Sequence, residues 1–262
     1  MKSVAVILGS AFGNQLPQEL DMQAIEVDTQ WGKQIIYGGT AESGRKMYIL
    51  IRHGSPHRLL PHQINYRAQA AALRAVSCGA LVINSSVGIL DADLPLFKPL
   101  ILTDQLMPEN RLPDGSTCSM FQHPEEEQGH LVINEGLFSE ALSEQLYQNH
   151  QDHIYQRDGE TVFVYAGGPR SKTAAENHMW AQLGGHVNSM TVAPEVVLAN
   201  ELEIPVAGLV VGHKYSLPTL DNPPEEEIQE SLVKARAATK EVLINFLKHG
   251  KPVDFANHIY RY

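Results

Sequence analysis

The chain lacks the residues and patterns that mark several large protein classes. It has two cysteines, Cys78 and Cys118, in 262 residues. Two thiols in a chain of this length make no disulfide framework, and without a CxxC pair the usual structural zinc signature is missing. Basic residues are outnumbered 20 to 30 by acidic ones, giving a formal net charge of -10. Such a chain gains no bulk attraction to nucleic acid or anionic membrane, although a local basic pocket can still hold an anion. No apolar run approaches the roughly 20 residues that span a bilayer. The first apolar run, residues 4–8, is too short for a secretion signal and ends at Gly9. A soluble cytoplasmic protein is expected. Charged residues make up 19% of the chain and hydrophobic ones 43%, so one sizeable core is expected and long disordered tracts are not.

Short apolar runs at 4–8, 47–51, 80–83, 161–165 and 206–211 each end in glycine or small polar residues. Continuous runs of this kind suit strands buried on both faces. Between them lie helical patterns at 66–78, 137–149, 173–183 and 194–202, with Gly79 as a stop for the first. Pro223-Pro224 opens a last helix over about 225–248, whose acidic first turn (Glu225, Glu226, Glu227) suits the positive end of the helix dipole. The alternation predicts an α/β fold: one domain over 1–262, with a central mixed, largely parallel twisted sheet flanked by helices. Residues 107–128 form the longest irregular stretch, a length often functional or mobile.

Polar clusters follow the strands, where open α/β sheets bind ligands. Gly9-Ser10-Ala11-Phe12-Gly13 is neither GxGxxG nor a Walker loop, and alone it reads as a strand-to-helix turn. Arg52-His53-Gly54-Ser55-Pro56-His57-Arg58 offers a guanidinium fork and imidazole donors suited to phosphate. A metal is less suited there, because Gly54 and Pro56 prevent one helix from aligning His53 with His57. Asn84-Ser85-Ser86-Val87-Gly88 suits an anion clamp or any tight turn. Gly168-Pro169-Arg170, Met190-Thr191 before Pro194, and Gly212-His213-Lys214-Tyr215-Ser216 complete the set. A lone Lys214 at a strand end would ordinarily be a solvated terminus.

In order and content these segments resemble the trimeric branch of the purine nucleoside phosphorylase superfamily. Arg52-His-Gly-Ser-Pro-His-Arg-Leu-Leu-Pro-His-Gln-Ile-Asn-Tyr-Arg-Ala68 is similar to a signature segment of the methylthioadenosine phosphorylases. It is closer still to the RHG-x-PHR-x-x-PHQ of the methylthioinosine phosphorylases. Met190-Thr191, Pro194-Glu195, Gly168-Pro169-Arg170 and Asp114-Gly-Ser-Thr-Cys118 resemble further family motifs, and the likeness runs from Val4 to the last helix. The resemblance implies phosphate-dependent cleavage of a nucleoside to a free base and a pentose 1-phosphate, with no metal or organic cofactor. It places Ser10, Arg52, His53, Ser85, Ser86 and Thr191 on phosphate, and His57 behind them. Met190 falls against the ribose, and Lys172, His213, Lys214, Tyr215 and Ser216 fall at the base. His130 falls where a neighbouring subunit of a homotrimer closes the ribose side. Lys214 and His57 are the candidate catalytic residues.

The base end departs from the family. Lys214 stands where Asn or Asp is usual, Lys172 where the inosine- and guanosine-cleaving branch has Glu, and Ser216 where the family has Asp. A charged lysine donates hydrogen bonds and accepts none. Two outcomes follow. Either the base differs, favouring one rich in acceptors or negative charge, or the chain is a degenerate paralogue that binds nucleoside or phosphate without turnover. A nucleosidase using water is disfavoured by the retained phosphate residues. If ungapped counting misplaces Lys214, His213 is the neighbour of the base.

Overall fold

The computed structural model describes residues 2–9, 16–124 and 128–261. In chain order they form β1 (Ser3–Leu8), β2 (Gln23–Thr29), β3 (Gly32–Thr40), β4 (Lys46–Ile51), α1 (Tyr66–Ala75), β5 (Cys78–Ile89), β6 (Pro99–Leu102), β7 (Asp104–Leu106), β8 (His130–Val132), α2 (Glu140–Gln148), β9 (Val162–Tyr165), α3 (Ala174–Gln182), β10 (Val187–Ser189), α4 (Ala193–Glu201), β11 (Val206–Tyr215), α5 (Glu225–His249) and β12 (His258–Tyr260).

Strand β1 explains the architecture. Successive side chains of a strand face opposite ways, and both faces of β1 are covered. Ala5 and Ile7 pack with Ala72 and Leu73 of α1 and Val196 and Ala199 of α4. Val4, Val6 and Leu8 pack with Leu142 and Leu146 of α2 and Val242, Leu243 and Phe246 of α5. Helices on both faces of the sheet are why the strand is a continuous apolar run. The ten-stranded sheet has the order β2-β3-β4-β1-β5-β10-β9-β7, with β11 also paired to β5 and β6 to β11. The pairings β1–β4, β1–β5, β5–β11, β9–β10 and β7–β9 are parallel; β2–β3, β3–β4, β5–β10 and β6–β11 are antiparallel. This is the expected mixed, largely parallel sheet flanked by helices. Strands β8 and β12 form a separate antiparallel pair.

Three elements differ from the sequence reading. Helix α1 stops at Ala75 rather than reaching Cys78, because Ser77 turns the chain with φ of 54° and β5 begins at Cys78. Gly79 is thus a strand residue, and a side chain there would collide with Lys2. Strands β5 and β11 run well past their apolar halves, so Ser85, Ser86, His213 and Lys214 lie in strands and not after them. Their polar ends stay extended because β10 adds an antiparallel partner to the end of β5. The polar hairpin β2–β3 has no apolar run to announce it.

Candidate active site

Strands β5 and β11 lie side by side and bring their C-terminal ends to one cleft of about 650 Å³. Their register shifts there: Gly212 faces Val87 and Lys214 faces Gly88, leaving His213 as an extra residue. A bulge of this kind breaks the in–out alternation of a strand. As a result His213, Lys214, Tyr215 and Ser216 all line the same cleft. Ser85 and Ser86 from β5, His53 and His57 from the segment after β4, Met190 and Thr191 before α4, and Lys172 before α3 line it as well.

At one end sit hydroxyls. Thr191 Oγ1 and Ser85 Oγ are 3.5 Å apart, and both residues are buried. Thr191 is held by a tight turn. Val192 has φ 76° and ψ -65°, and the Ala193 amide donates back to the Thr191 carbonyl at 3.0 Å. This is a γ-turn of the strained hand. A β-branched residue at positive φ costs about 1–3 kcal/mol and persists where its surroundings over-determine it. Glu195 supplies the constraint, with Oε2 accepting from the Val192 amide at 3.0 Å.

Glu195 is in turn paired with Arg52. The Arg52 Nε and Nη2 groups donate to the two carboxylate oxygens at 2.6 and 2.9 Å, and Nη1 donates to the Asn84 carbonyl at 2.9 Å. Arg52 is 0% exposed and is not among the described residues that line the cleft. Arg52 thus braces Glu195, because a buried carboxylate demands donors; these contacts use three of its five N–H groups and leave two for the phosphate contact that the resemblance implies. The segment that most resembles the family is largely scaffold too. Gln63 accepts from the Leu60 amide, Asn65 caps α1 through the Ala68 amide, and Gln69 donates to the Arg52 carbonyl at 3.0 Å. Arg67 ties the irregular stretch to α1 through the carbonyls of Thr117 and Ser119.

His53 stacks on His57 with ring centroids 4.4 Å apart. Its Nδ1 lies 2.8 Å from the Leu59 carbonyl. A carbonyl only accepts, so Nδ1 carries the proton and a neutral ring leaves Nε2 as an acceptor. Burial, together with the charge of Arg52 and the neighbouring His57, lowers the His53 pKa to about 4. His53 is neutral near pH 7.

The other end of the cleft is cationic. Lys172 is half-buried, and burial plus the charge of Lys214 lowers its pKa to about 8. His213 is lowered by burial and then by Lys214. Asn188 Nδ2 donates to Asn177 Oδ1 at 3.0 Å, and Asn177 Nδ2 donates to the Ser216 carbonyl at 2.9 Å. This amide relay fixes Ser216, whose Oγ lies so close over Gly88 that no side chain fits there. The sequence reading missed Asn177, Asn188 and the bracing role of Glu195; Asn177 follows a helix-capping pair and carries no motif of its own. Among the described lining residues are two lysines, three histidines and no Asp or Glu.

His130 stands apart. It is exposed on β8, paired with Tyr260 of β12, and does not line the cleft of its own chain among the described residues. Ser10 lies outside the described residues. Among them, no three His, Cys, Asp or Glu side chains gather as a metal site requires. Among the described residues, no helix is long and apolar enough to cross a membrane.

Residues 3–248 match the phosphorylase superfamily. A probable S-methyl-5′-thioinosine phosphorylase of Methanopyrus kandleri is 32% identical over 216 residues, covering 82% of this chain and 80% of its own. The S-methyl-5′-thioadenosine phosphorylase of Nitrosopumilus maritimus is 27% identical over 235 residues, covering 87% and 84%. Among solved structures, methylthioadenosine phosphorylase from Schistosoma mansoni in complex with adenine has a TM-score of 0.80 at 22% identity, covering 94% of this chain and 91% of that one. That likeness is one of fold. The chain belongs to the phosphorylase superfamily and has the nucleoside phosphorylase fold.

Proposed function

We propose that the protein cleaves a purine-type nucleoside, or a 5′-methylthio nucleoside, with inorganic phosphate to give free base and a pentose 1-phosphate. The observation that carries this is one cleft with a hydroxyl and imidazole end and a cationic end, with Met190 in the same lining. Ser85, Ser86, Thr191 and His53 hold phosphate, Arg52 braces them through Glu195, and the family resemblance adds Ser10 and Arg52 to the phosphate ligands. The neutral His53 Nε2 takes a hydrogen bond from the phosphate O–H, and His57 steadies that ring. As the bond to the base breaks, oxocarbenium-type charge grows on the sugar, as in glycoside hydrolysis. The bound phosphate stabilises that charge and then attacks it. Met190 covers the ribose, while Lys214 and Lys172, with His213, Tyr215 and Ser216, meet the departing base. Phosphate is the co-substrate, and neither metal nor organic cofactor takes part.

We further propose a homotrimer in which His130 of one subunit closes the ribose side of the next. Support comes from the resemblance of its segment and from its position outside its own cleft. Light scattering at working concentration is expected to give three times the chain mass; a monomer contradicts it.

A second reading is a paralogue that binds without turnover, favoured by the lack of a carboxylate among the described lining residues. One assay separates the readings: a nucleoside panel with and without phosphate, following free base. Base released only with phosphate supports phosphorolysis, base released equally without it indicates a nucleosidase, and binding with no release supports the paralogue.

A further inference from the structure

We infer that the cationic end of the cleft selects a purine bearing oxo groups and no exocyclic amine, so that a 2,6-dioxopurine nucleoside is preferred to a 6-oxopurine one and both to a 6-aminopurine one. The inference rests on the phosphorolytic reading of the same site.

What this end of the cleft offers is mostly donors. The ammonium groups of Lys172 and Lys214 line it, and among the described residues no carboxylate does. Two carboxylates on the adjoining elements, Glu176 and Glu195, are committed. Glu176 takes both terminal nitrogens of Arg170, at 2.9 and 2.6 Å, and the Thr173 amide. Glu195 takes Arg52 and the Val192 amide. The amide oxygen of Asn177 is occupied by Asn188, and its nitrogen by the Ser216 carbonyl. An exocyclic amine at this end meets two ammonium groups that cannot accept from it, and its acceptors are neutral ones such as Asn188 Oδ1 and the Ser216 hydroxyl, with no carboxylate among the described lining residues. A carbonyl oxygen and the unprotonated N7 of an oxopurine are the acceptor pair that a cationic side chain reads in a purine. A second oxo group adds a further acceptor, and Ser216 Oγ remains for one ring N–H.

The chemistry balances. The C1′–N9 bond breaks and its electron pair stays with the base, while a phosphate oxygen forms the new bond to C1′. The base takes a proton from one ammonium, leaving a neutral amine. The proton of the hydrogen phosphate passes through His53 Nε2 to solvent, and solvent reprotonates the lysine. Net, one proton moves from phosphate to base. Lys172 is lowered to about 8 by burial beside Lys214, which eases that loss.

The test uses xanthosine, inosine and adenosine, which share one sugar. Phosphorolysis gives kcat/KM for each, and calorimetry gives Kd in the presence of phosphate. Expected is the order xanthosine, inosine, adenosine, with at least about tenfold between first and last. Lys172→Met and Lys214→Met should each flatten that ratio while leaving phosphate affinity within about twofold. If inosine is cleaved but adenosine is handled equally well or better, the inference is overturned and phosphorolysis stands. If no nucleoside is cleaved, the phosphorolytic reading fails and the order of Kd values decides: the same order supports the selection, a flat or reversed order overturns it. Tighter binding of inosine 5′-phosphate than of all three, lost in Lys172→Met, assigns the pair to a phosphate group and overturns the inference.

Discussion

Arg52 and Glu195 expose 0% and 1% of their side-chain surface and share two hydrogen bonds. Removing one partner of such a pair strands a charge in the interior, at about 3–5 kcal/mol. Arg52→Ala should therefore lower unfolding free energy by that amount in urea, before any effect on phosphate. Arg52→Met combined with Glu195→Leu should regain part of the loss, because the stranded charge is gone. An Arg52→Ala protein as stable as the parent would show that the pair is not the brace described. His53 makes a pH-dependent contribution. Its pKa falls from 6.5 to about 4 on folding, mainly through burial. Above pH 6.5 both states are neutral and the residue adds no slope. Between about 6.5 and 4 the unfolded chain binds a proton that the native one refuses, so stability falls as pH falls. His53→Gln should lose stability less steeply between pH 7 and pH 5. Parallel curves for the two proteins would place the His53 pKa near its ordinary value.

Two short elements shape the site more than the long ones do. The γ-turn at Val192 aims Thr191, and the bulge at His213 turns four consecutive residues into the cleft. A third is the start of α3, where Thr173 and Glu176 form a capping box immediately after Lys172. Thr173→Ala should cost about 0.5–2 kcal/mol of stability. Because it loosens the residue next to Lys172, it should also raise KM for nucleoside with phosphate affinity unchanged, which initial rates at varied substrate would show. Elements like these were the least legible in the sequence. Continuous apolar runs announce β1, β4, β9 and the first halves of β5 and β11, since burial on both faces leaves no room for polar residues. The polar ends of β5 and β11 read as segments that follow the strands, because pairing and not side-chain character keeps them extended. Motifs locate the neighbourhood of the site, and the resemblance gives its residues their roles. The pairing of Arg52 with Glu195 is not legible in the best-matched segment, and the Asn177–Asn188 relay forms only when α3 packs against β10.

The whole molecule sets an acidic surface against a cationic cleft. Its net charge is -10, yet the described cleft residues include two lysines and no carboxylate. On the proposed function, anionic phosphate is held by local placement of donors and not by bulk attraction, and screening by salt acts on partly buried groups less than on exposed ones. Phosphate affinity should accordingly fall less than about tenfold between 50 and 500 mM salt in calorimetric titration, whereas a loss of several hundredfold would indicate an exposed, screened site. Whether this cleft uses phosphate to split a nucleoside is measured by the release of free base and pentose 1-phosphate from a nucleoside panel, with phosphate present and rigorously removed. Equimolar base and sugar phosphate that appear only with phosphate are expected; base release at the same rate without phosphate, or none while nucleoside and phosphate are both bound, would contradict phosphorolysis.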